Sequence, residues 1–161
     1  MQVANKLPPK FDAVVAAPFG AVGIFAFNEQ ISIELLTENH VPKPAENKIV
    51  QKIAAQIEAY FGSAKNDFSL QVAQYGTPYQ QRVWQAIRAI PRGRVLTYGD
   101  IAAQIGSGPR AVANACGANN IPLLVPCHRV VAKNGLGGFM QGNKDGLKIK
   151  KWLLKHEGIH Y

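Results

Sequence analysis

Two neighbouring residues of the chain have side chains suited to nucleophilic chemistry: Cys127 and His128, in the run Pro126-Cys127-His128-Arg129-Val130. A cysteine attacks as its thiolate, which forms at neutral pH only beside a base or in a positive field. His128 and Arg129 supply candidates for both. The apolar run Leu123-Leu124-Val125 reads as a short strand stopping at Pro126, so the pair is expected at a strand end, where a buried side chain can face a pocket. A Cys-His pair alone is more often a buried thiol beside a solvated imidazole, so its surroundings must decide. Cys116 is the one other cysteine. Two thiols suit a reduced protein better than a disulfide framework, and they cannot build a structural zinc site unaided.

A scaffold for the pair is legible on both sides of it. From Phe11 to Leu36, three β-prone runs (Phe11 to Ala17, Ala21 to Phe27, Ile31 to Leu36) are separated by Pro18-Phe19-Gly20 and Asn28-Glu29-Gln30, which predicts an antiparallel meander. Ala45 to Tyr60 carries Ile49, Ile53, Ile57 and Tyr60 at helical spacing, and Gly62 ends it. Ser63 to Gly76 is rich in turn-forming residues, and a boundary there divides the chain into 1–74 and 75–161. Beyond it, Thr77-Pro78 opens a helix whose apolar face is Val83, Trp84, Ile87 and Ile90. Thr97 caps a helix through Ile105, and Gly106-Ser107-Gly108-Pro109 turns the chain into a second one, from about Arg110 to Ala118. Two short helices across a glycine turn predict a helix-turn-helix. The second is lined by Ala111, Ala113, Ala115 and Ala118, a flat surface that suits either tight helix packing or close approach to DNA.

Composition narrows the partners. With 47% hydrophobic residues the chain can bury a real core, and a formal charge of +8 favours a polyanion through steering and counterion release. Nucleic acid is the leading candidate, against the plainer reading of a merely basic surface. No run approaches the roughly 20 apolar residues of a membrane span, and no leader is apparent. A soluble, intracellular protein is expected.

The longer run Asn119-Asn120-Ile121-Pro122-Leu123-Leu124-Val125-Pro126-Cys127-His128-Arg129-Val130-Val131 closely resembles the active-site segment of the O6-alkylguanine-DNA alkyltransferases, or methylated-DNA-protein-cysteine methyltransferases. The resemblance continues through Thr77 to Trp84, Ile90 to Val95, Thr97 to Ala102, Arg110 to Val112 and Lys150 to Gly158, strongly over about half the chain. It implies an α+β fold: a small N-terminal antiparallel sheet plus helix, ribonuclease-H-like, then a mostly helical, winged-helix-like DNA-binding domain with the helix-turn-helix. It also implies direct-reversal repair in one irreversible turnover, in which Cys127 takes an alkyl group from O6 of a flipped-out guanine, or from O4 of thymine. His128 would deprotonate Cys127 through a water, with Glu157 orienting the imidazole. Tyr98 would donate toward the guanine ring N3, and Asn119 would tie the recognition helix to the cysteine. The carbonyls of Cys127 and Val130 would accept from the guanine amine. Val130, Phe139, Met140 and Cys116 would line the substrate pocket. Arg110 would fill the vacated base stack, Ala111, Ala113 and Ala115 would let the helix sit in the minor groove, and Arg92 and Arg94 would meet phosphates. The partner is double-stranded DNA carrying O6-alkylguanine. A cytoplasmic, nucleoid-associated monomer (nuclear in a eukaryote) without cofactor or metal follows, cooperative binding along DNA being left open.

Three departures from the family pattern stand out. The interval from Tyr98 to Arg110 is short, Phe139 occupies a position where many relatives have tyrosine, and Asn143-Lys144-Asp145-Gly146 reads as a small insertion. The N-terminal half has no cysteine, so the zinc site of some relatives is not expected. Three other classes fit less well. A lesion-binding protein of the alkyltransferase-like kind would lack the reactive cysteine. A helix-turn-helix regulator would need a further domain, and a cysteine hydrolase would need an oxyanion site that the sequence does not identify.

Overall fold

A computed structural model describes residues 11–139 and 145–161. Three strands, β1 (Ala13–Ala17), β2 (Gly20–Phe27) and β3 (Gln30–Leu36), form an antiparallel sheet in the order β1-β2-β3. Both hairpins are tight. Gly20, at φ +147°, lies so near the Leu36 carbonyl that a Cβ there would collide with it. The second hairpin turns at Asn28 and Glu29, both with positive φ (51° and 66°), as a two-residue loop matching the strand twist requires.

Alternation along β3 buries Ile31, Ile33 and Leu35 on the face that receives helix α1 (Lys48–Gly62). Asn47 caps α1 by accepting from the Ile49 and Val50 amides. Its buried stripe is Val50, Ile53, Ile57 and Tyr60, whereas Ile49, expected on that face, is 48% exposed. The helix starts at Lys48 rather than Ala45, so Ile49 falls in the uncovered first turn and Val50 leads the stripe.

Residues 63–77 contain no helix or strand, yet Phe68, Leu70 and Val72 alternate inward against the core and bring Gln74 to a buried position. Next come α2 (Pro78–Arg88), β4 (Leu96–Thr97), α3 (Tyr98–Ile105), α4 (Pro109–Gly117), β5 (Val130–Val131) and α5 (Gly146–His156). Thr77 with Gln80, and Thr97 with Asp100, close reciprocal capping boxes at the starts of α2 and α3. Gly106, left-handed at φ 69°, ends α3, and α4 begins two residues later behind Gly108. The short strands β4 and β5 pair in parallel, Leu96 with Val130, bringing the start of α3 beside the Cys127 segment.

The architecture is α+β: a small antiparallel sheet and, among the described residues, five α-helices. A continuous apolar cluster joins the sheet and α1 to Trp84 and Ile87 of α2, Ile101 of α3, Val112 of α4 and Ile149 and Leu153 of α5. The sheet also meets the later half directly, where the Ile33 amide donates to the Asn120 carbonyl at 2.9 Å.

One element departs from expectation. Leu123 to Val125 is a tight turn, not a strand: Pro122 and Val125 form an isolated bridge, and Leu123 takes φ 78°. Pro122 and Pro126 bracket these three residues and remove the amides a ladder would need. A left-handed leucine costs roughly 1–2 kcal/mol, which burial of its side chain offsets.

Candidate active site

Cys127 opens a single 3-10 turn, Cys127–Arg129, between the Pro122–Val125 turn and β5. Its side chain is buried, 6% exposed, so whatever meets the sulfur meets it in a largely dry setting. Two polar groups lie against it. The Asn119 amide nitrogen donates to the sulfur at 3.1 Å, and the sulfur makes a long contact, 3.8 Å, with the Cys116 carbonyl. Asn119 is oriented by its other bonds: its oxygen accepts from the Ile121 amide (3.0 Å) and from Gln74 (2.9 Å). Its nitrogen must therefore face the sulfur and the Val125 carbonyl.

His128, the next residue of the turn, is 1% exposed. Its Nε2 lies 2.8 Å from Glu157 Oε2. A carboxylate only accepts, so Nε2 holds the proton, and in the neutral ring Nδ1 carries the lone pair. Nδ1 is buried and has no hydrogen-bond partner among the described residues. Burial holds the imidazole pKa below its usual value, against the opposing pull of Glu157. A neutral, pre-oriented base at ordinary pH is the result.

Glu157 sits just past the end of α5, where the helix dipole disfavours an anion. Four donors compensate. Tyr60 (2.6 Å), His128 and an Arg129 terminal nitrogen (3.1 Å) reach Oε2, and Arg129 Nε reaches Oε1 at 2.9 Å. Burial alone would raise the carboxyl, but the bonds from His128 and Arg129 bring it well below the carboxylate range. Arg129 also donates to the Ile90 carbonyl. Its place in the sequence offers Arg129 as a cation for the thiol, and the structure commits it to Glu157 instead.

Among the described residues, the cation that pulls the Cys127 thiol down is Lys150, a residue to which the sequence motifs assign no role. It is fully buried, and its Nζ donates to the carbonyls of Val130 (2.7 Å), Leu136 and Gly138 (2.9 Å) while lying over the Tyr98 and Phe139 rings. Burial lowers its pKa to about 8. The thiol of Cys127 is raised well above its usual value, first by a hydrogen bond with Cys116 and then by burial, while Asn119 and Lys150 pull it down. Helical spacing contained the signal: Lys150 and Glu157 fall on the buried stripe of Ile149, Leu153 and Leu154, where a polar residue needs a specific partner.

Tyr98 begins α3, half-buried, with its hydroxyl donating to the Gly138 carbonyl at 3.3 Å. Gly137, at φ +76°, makes room for it: a Cβ there would lie 2.8 Å from Tyr98 Cε2. Val130 and Phe139 are buried beside this site. The carbonyls of Cys127 and Val130 each already accept one bond, from the Val130 amide and from Lys150, leaving one lone pair apiece. Met140 and two residues of the insertion, Asn143 and Lys144, lie outside the described residues.

On the neighbouring surface, Arg110 is exposed in the first turn of α4, with Ala111 exposed and Ala113 half-buried. Ala115 is 2% exposed and belongs to the packing face, its carbonyl taking the Trp84 indole at 2.9 Å, so it adds nothing to a flat outer surface. Helical rotation explains the split, since positions 112 and 115 face the core while 110, 111 and 114 face out. Arg92 and Arg94 are exposed between α2 and β4, Arg92 within 3.8 Å of Asp67. Among the described residues, no three His, Cys, Asp or Glu side chains gather as a metal site, and no helix is long and apolar enough to cross a membrane.

Residues 78–159 match the family model described as 6-O-methylguanine DNA methyltransferase, DNA binding domain. A methylated-DNA–protein-cysteine methyltransferase of Salmonella typhimurium is 51% identical over 92 residues, 56% of this chain and 52% of its own length. The chain thus spans about half of that curated relative. A probable methylated-DNA–protein-cysteine methyltransferase of Acanthamoeba polyphaga mimivirus is 40% identical over 151 residues, covering 89% of this chain and 94% of its own. Among solved structures, Mycobacterium tuberculosis OGT in complex with DNA superposes with a TM-score of 0.72 at 31% identity, covering 90% of this chain and 91% of its own.

Proposed function

Because the chain belongs to the 6-O-methylguanine DNA methyltransferase family, we propose that it repairs double-stranded DNA directly, Cys127 taking the alkyl group from O6 of a guanine rotated out of the helix. The observation that carries this reading is the pairing of a buried cysteine with a buried imidazole whose proton is held on Nε2 by Glu157. Nδ1 is left as the acceptor on the cysteine's own turn.

In the transfer, the thiol proton passes through a water to His128 Nδ1. The sulfur attacks the alkyl carbon in line with the C–O6 bond, the C–S bond forms, and the C–O6 electron pair returns to the purine. His128 gives its proton back to water, the guanine takes one from water at its ring nitrogen, and the protein keeps an S-alkylcysteine. Tyr98 swings its hydroxyl from Gly138 toward ring N3 and relieves the developing charge. Asn119 and Lys150 stabilise the thiolate against the cost of its burial. The remaining lone pairs of the Cys127 and Val130 carbonyls select the guanine amine, and Val130, Phe139 and Cys116 bound the pocket. Nothing regenerates the thiol, so each molecule acts once, without cofactor or metal.

Duplex DNA places O6 inside the stack, and rotating the base out costs a few kcal/mol. Arg110 takes its place while Ala111 and Ala113 let α4 approach the minor groove, with Arg92 and Arg94 on phosphates. Of the two domains, 1–74 and 75–161, the described part of the first is ribonuclease-H-like and that of the second winged-helix-like, in a cytoplasmic monomer. The test is intact-protein mass spectrometry after mixing with duplex DNA containing O6-methylguanine. One methyl mapped to Cys127 is expected; an unchanged mass together with tight DNA binding overturns the reading.

A further inference from the structure

Glu157, the residue that orients the catalytic imidazole, receives its shortest bond from the N-terminal half of the chain. Tyr60, in the last turn of α1 and 1% exposed, donates its hydroxyl to Glu157 Oε2 at 2.6 Å, the same oxygen that His128 Nε2 meets at 2.8 Å. The carbonyl of Tyr60 accepts from His156 Nε2 at 2.6 Å, so the end of α1 grips both residues that close α5. Its ring is fixed as well, edge-on to His156 and tilted against Phe61 and Phe68. A hydroxyl needed only for packing has no reason to be buried on a carboxylate, because a phenylalanine would fill the same space without the cost of desolvation.

We propose that Tyr60 is a positioning residue for the transfer: its hydroxyl shares Glu157 Oε2 with His128 and fixes how strongly that carboxylate holds the imidazole, which makes the N-terminal half part of the reacting network. The proposal rests on the repair reading for its kinetic consequence, but not for its effect on His128. The groups facing the imidazole are Glu157 and Lys150 from α5, Arg129 from its own turn, and, through Glu157, Tyr60 from α1. Glu157 pulls the His128 pKa upward, and the Tyr60 bond draws part of the carboxylate's charge to itself. Without the hydroxyl, Glu157 binds the imidazole proton more tightly, and His128 becomes cationic at higher pH. A cationic imidazole cannot take the thiol proton.

The experiment is Tyr60→Phe, which keeps the ring, read in two ways. The His128 ring is titrated by NMR without DNA, and the methyl transfer rate is followed against pH on duplex DNA. The expected result is a His128 titration displaced to higher pH, with transfer slowed about fivefold or more near pH 6 and little near pH 8. A titration superimposed on that of the unaltered protein overturns the proposal. So does a rate lowered equally at every pH in step with lost thermal stability, which marks a packing role. If the unaltered protein transfers no methyl, the repair reading fails by itself, and the titration still decides the role of Tyr60.

Discussion

The Asn119 amide nitrogen lies 3.1 Å from the Cys127 sulfur, and Asn119 cannot turn away because its oxygen is held by the Ile121 amide and by Gln74. The donor facing the nucleophile is thus aimed before any substrate arrives. A hydrogen bond to a thiolate favours the charged form, and here it opposes the neighbouring Cys116 bond and the burial that push the thiol up.

Asn119→Ala removes that donor. The thiol pKa is expected to rise further, so alkylation of Cys127 by iodoacetamide shifts to higher pH and methyl transfer near pH 7 slows by about tenfold or more. Gln74→Ala acts one bond further out and should give a smaller shift in the same direction. Alkylation profiles that superimpose for all three proteins would remove Asn119 from the thiolate's support.

Much of the fold and of the site is legible in the amino-acid sequence. The strands and turns of the meander, the Thr77 and Thr97 caps and the Cys127 motif are local signals, carried by a few adjacent residues each. What the sequence hides is long-range. Tyr60 lies 97 positions from Glu157 in the chain, and nothing local marks its hydroxyl as a partner. Arg129 is visible as a cation but its direction is not, because a 3-10 turn rather than a strand end carries it toward Glu157. The Leu123 turn is mistaken for a strand because the run has the apolar composition of a strand, while the flanking Pro122 and Pro126 supply no amide to extend a ladder. Gln74 and Lys150 do leave traces, the first in the alternation after Phe68 and the second on the buried stripe of α5.

Glu157 also bears on stability. Its pKa is lowered on folding, so its contribution is fully present above the unfolded carboxylate pKa of about 4.3 and is lost as pH falls through the folded value. The protein should weaken progressively on acidification below about pH 5. Glu157→Gln should abolish much of that slope and, by leaving Arg129 uncompensated, cost about 3–5 kcal/mol at neutral pH. Urea unfolding across the acid range measures both. Parallel pH dependences for the two proteins would show that other carboxylates govern acid unfolding.

Gly137 tests Tyr98 without touching it. An added Cβ would press on the Tyr98 ring, 2.8 Å from Cε2, in a backbone conformation that L side chains avoid. Gly137→Ala should therefore displace the hydroxyl and slow transfer from O6-methylguanine by about tenfold or more, while iodoacetamide still reacts with Cys127 at nearly the normal rate. If both reactions slow equally, the loop has disturbed the cysteine and not the tyrosine.

A substitution at Arg110 tests the proposed extraction of the base separately from the chemistry that follows. It is exposed in the first turn of α4, on the face turned away from the Val112 and Ala115 packing side. Arg110→Ala removes the group assigned to the vacated stack and leaves the Cys127 turn intact. The cost should fall on the rotated state, slowing transfer from duplex DNA by about tenfold or more, while free O6-methylguanine base reacts at a nearly normal rate. The ratio of the two rates isolates the flipping step, because any general damage to the nucleophile cancels. Equal losses on both substrates would place Arg110 outside that step and leave insertion to another residue of α4.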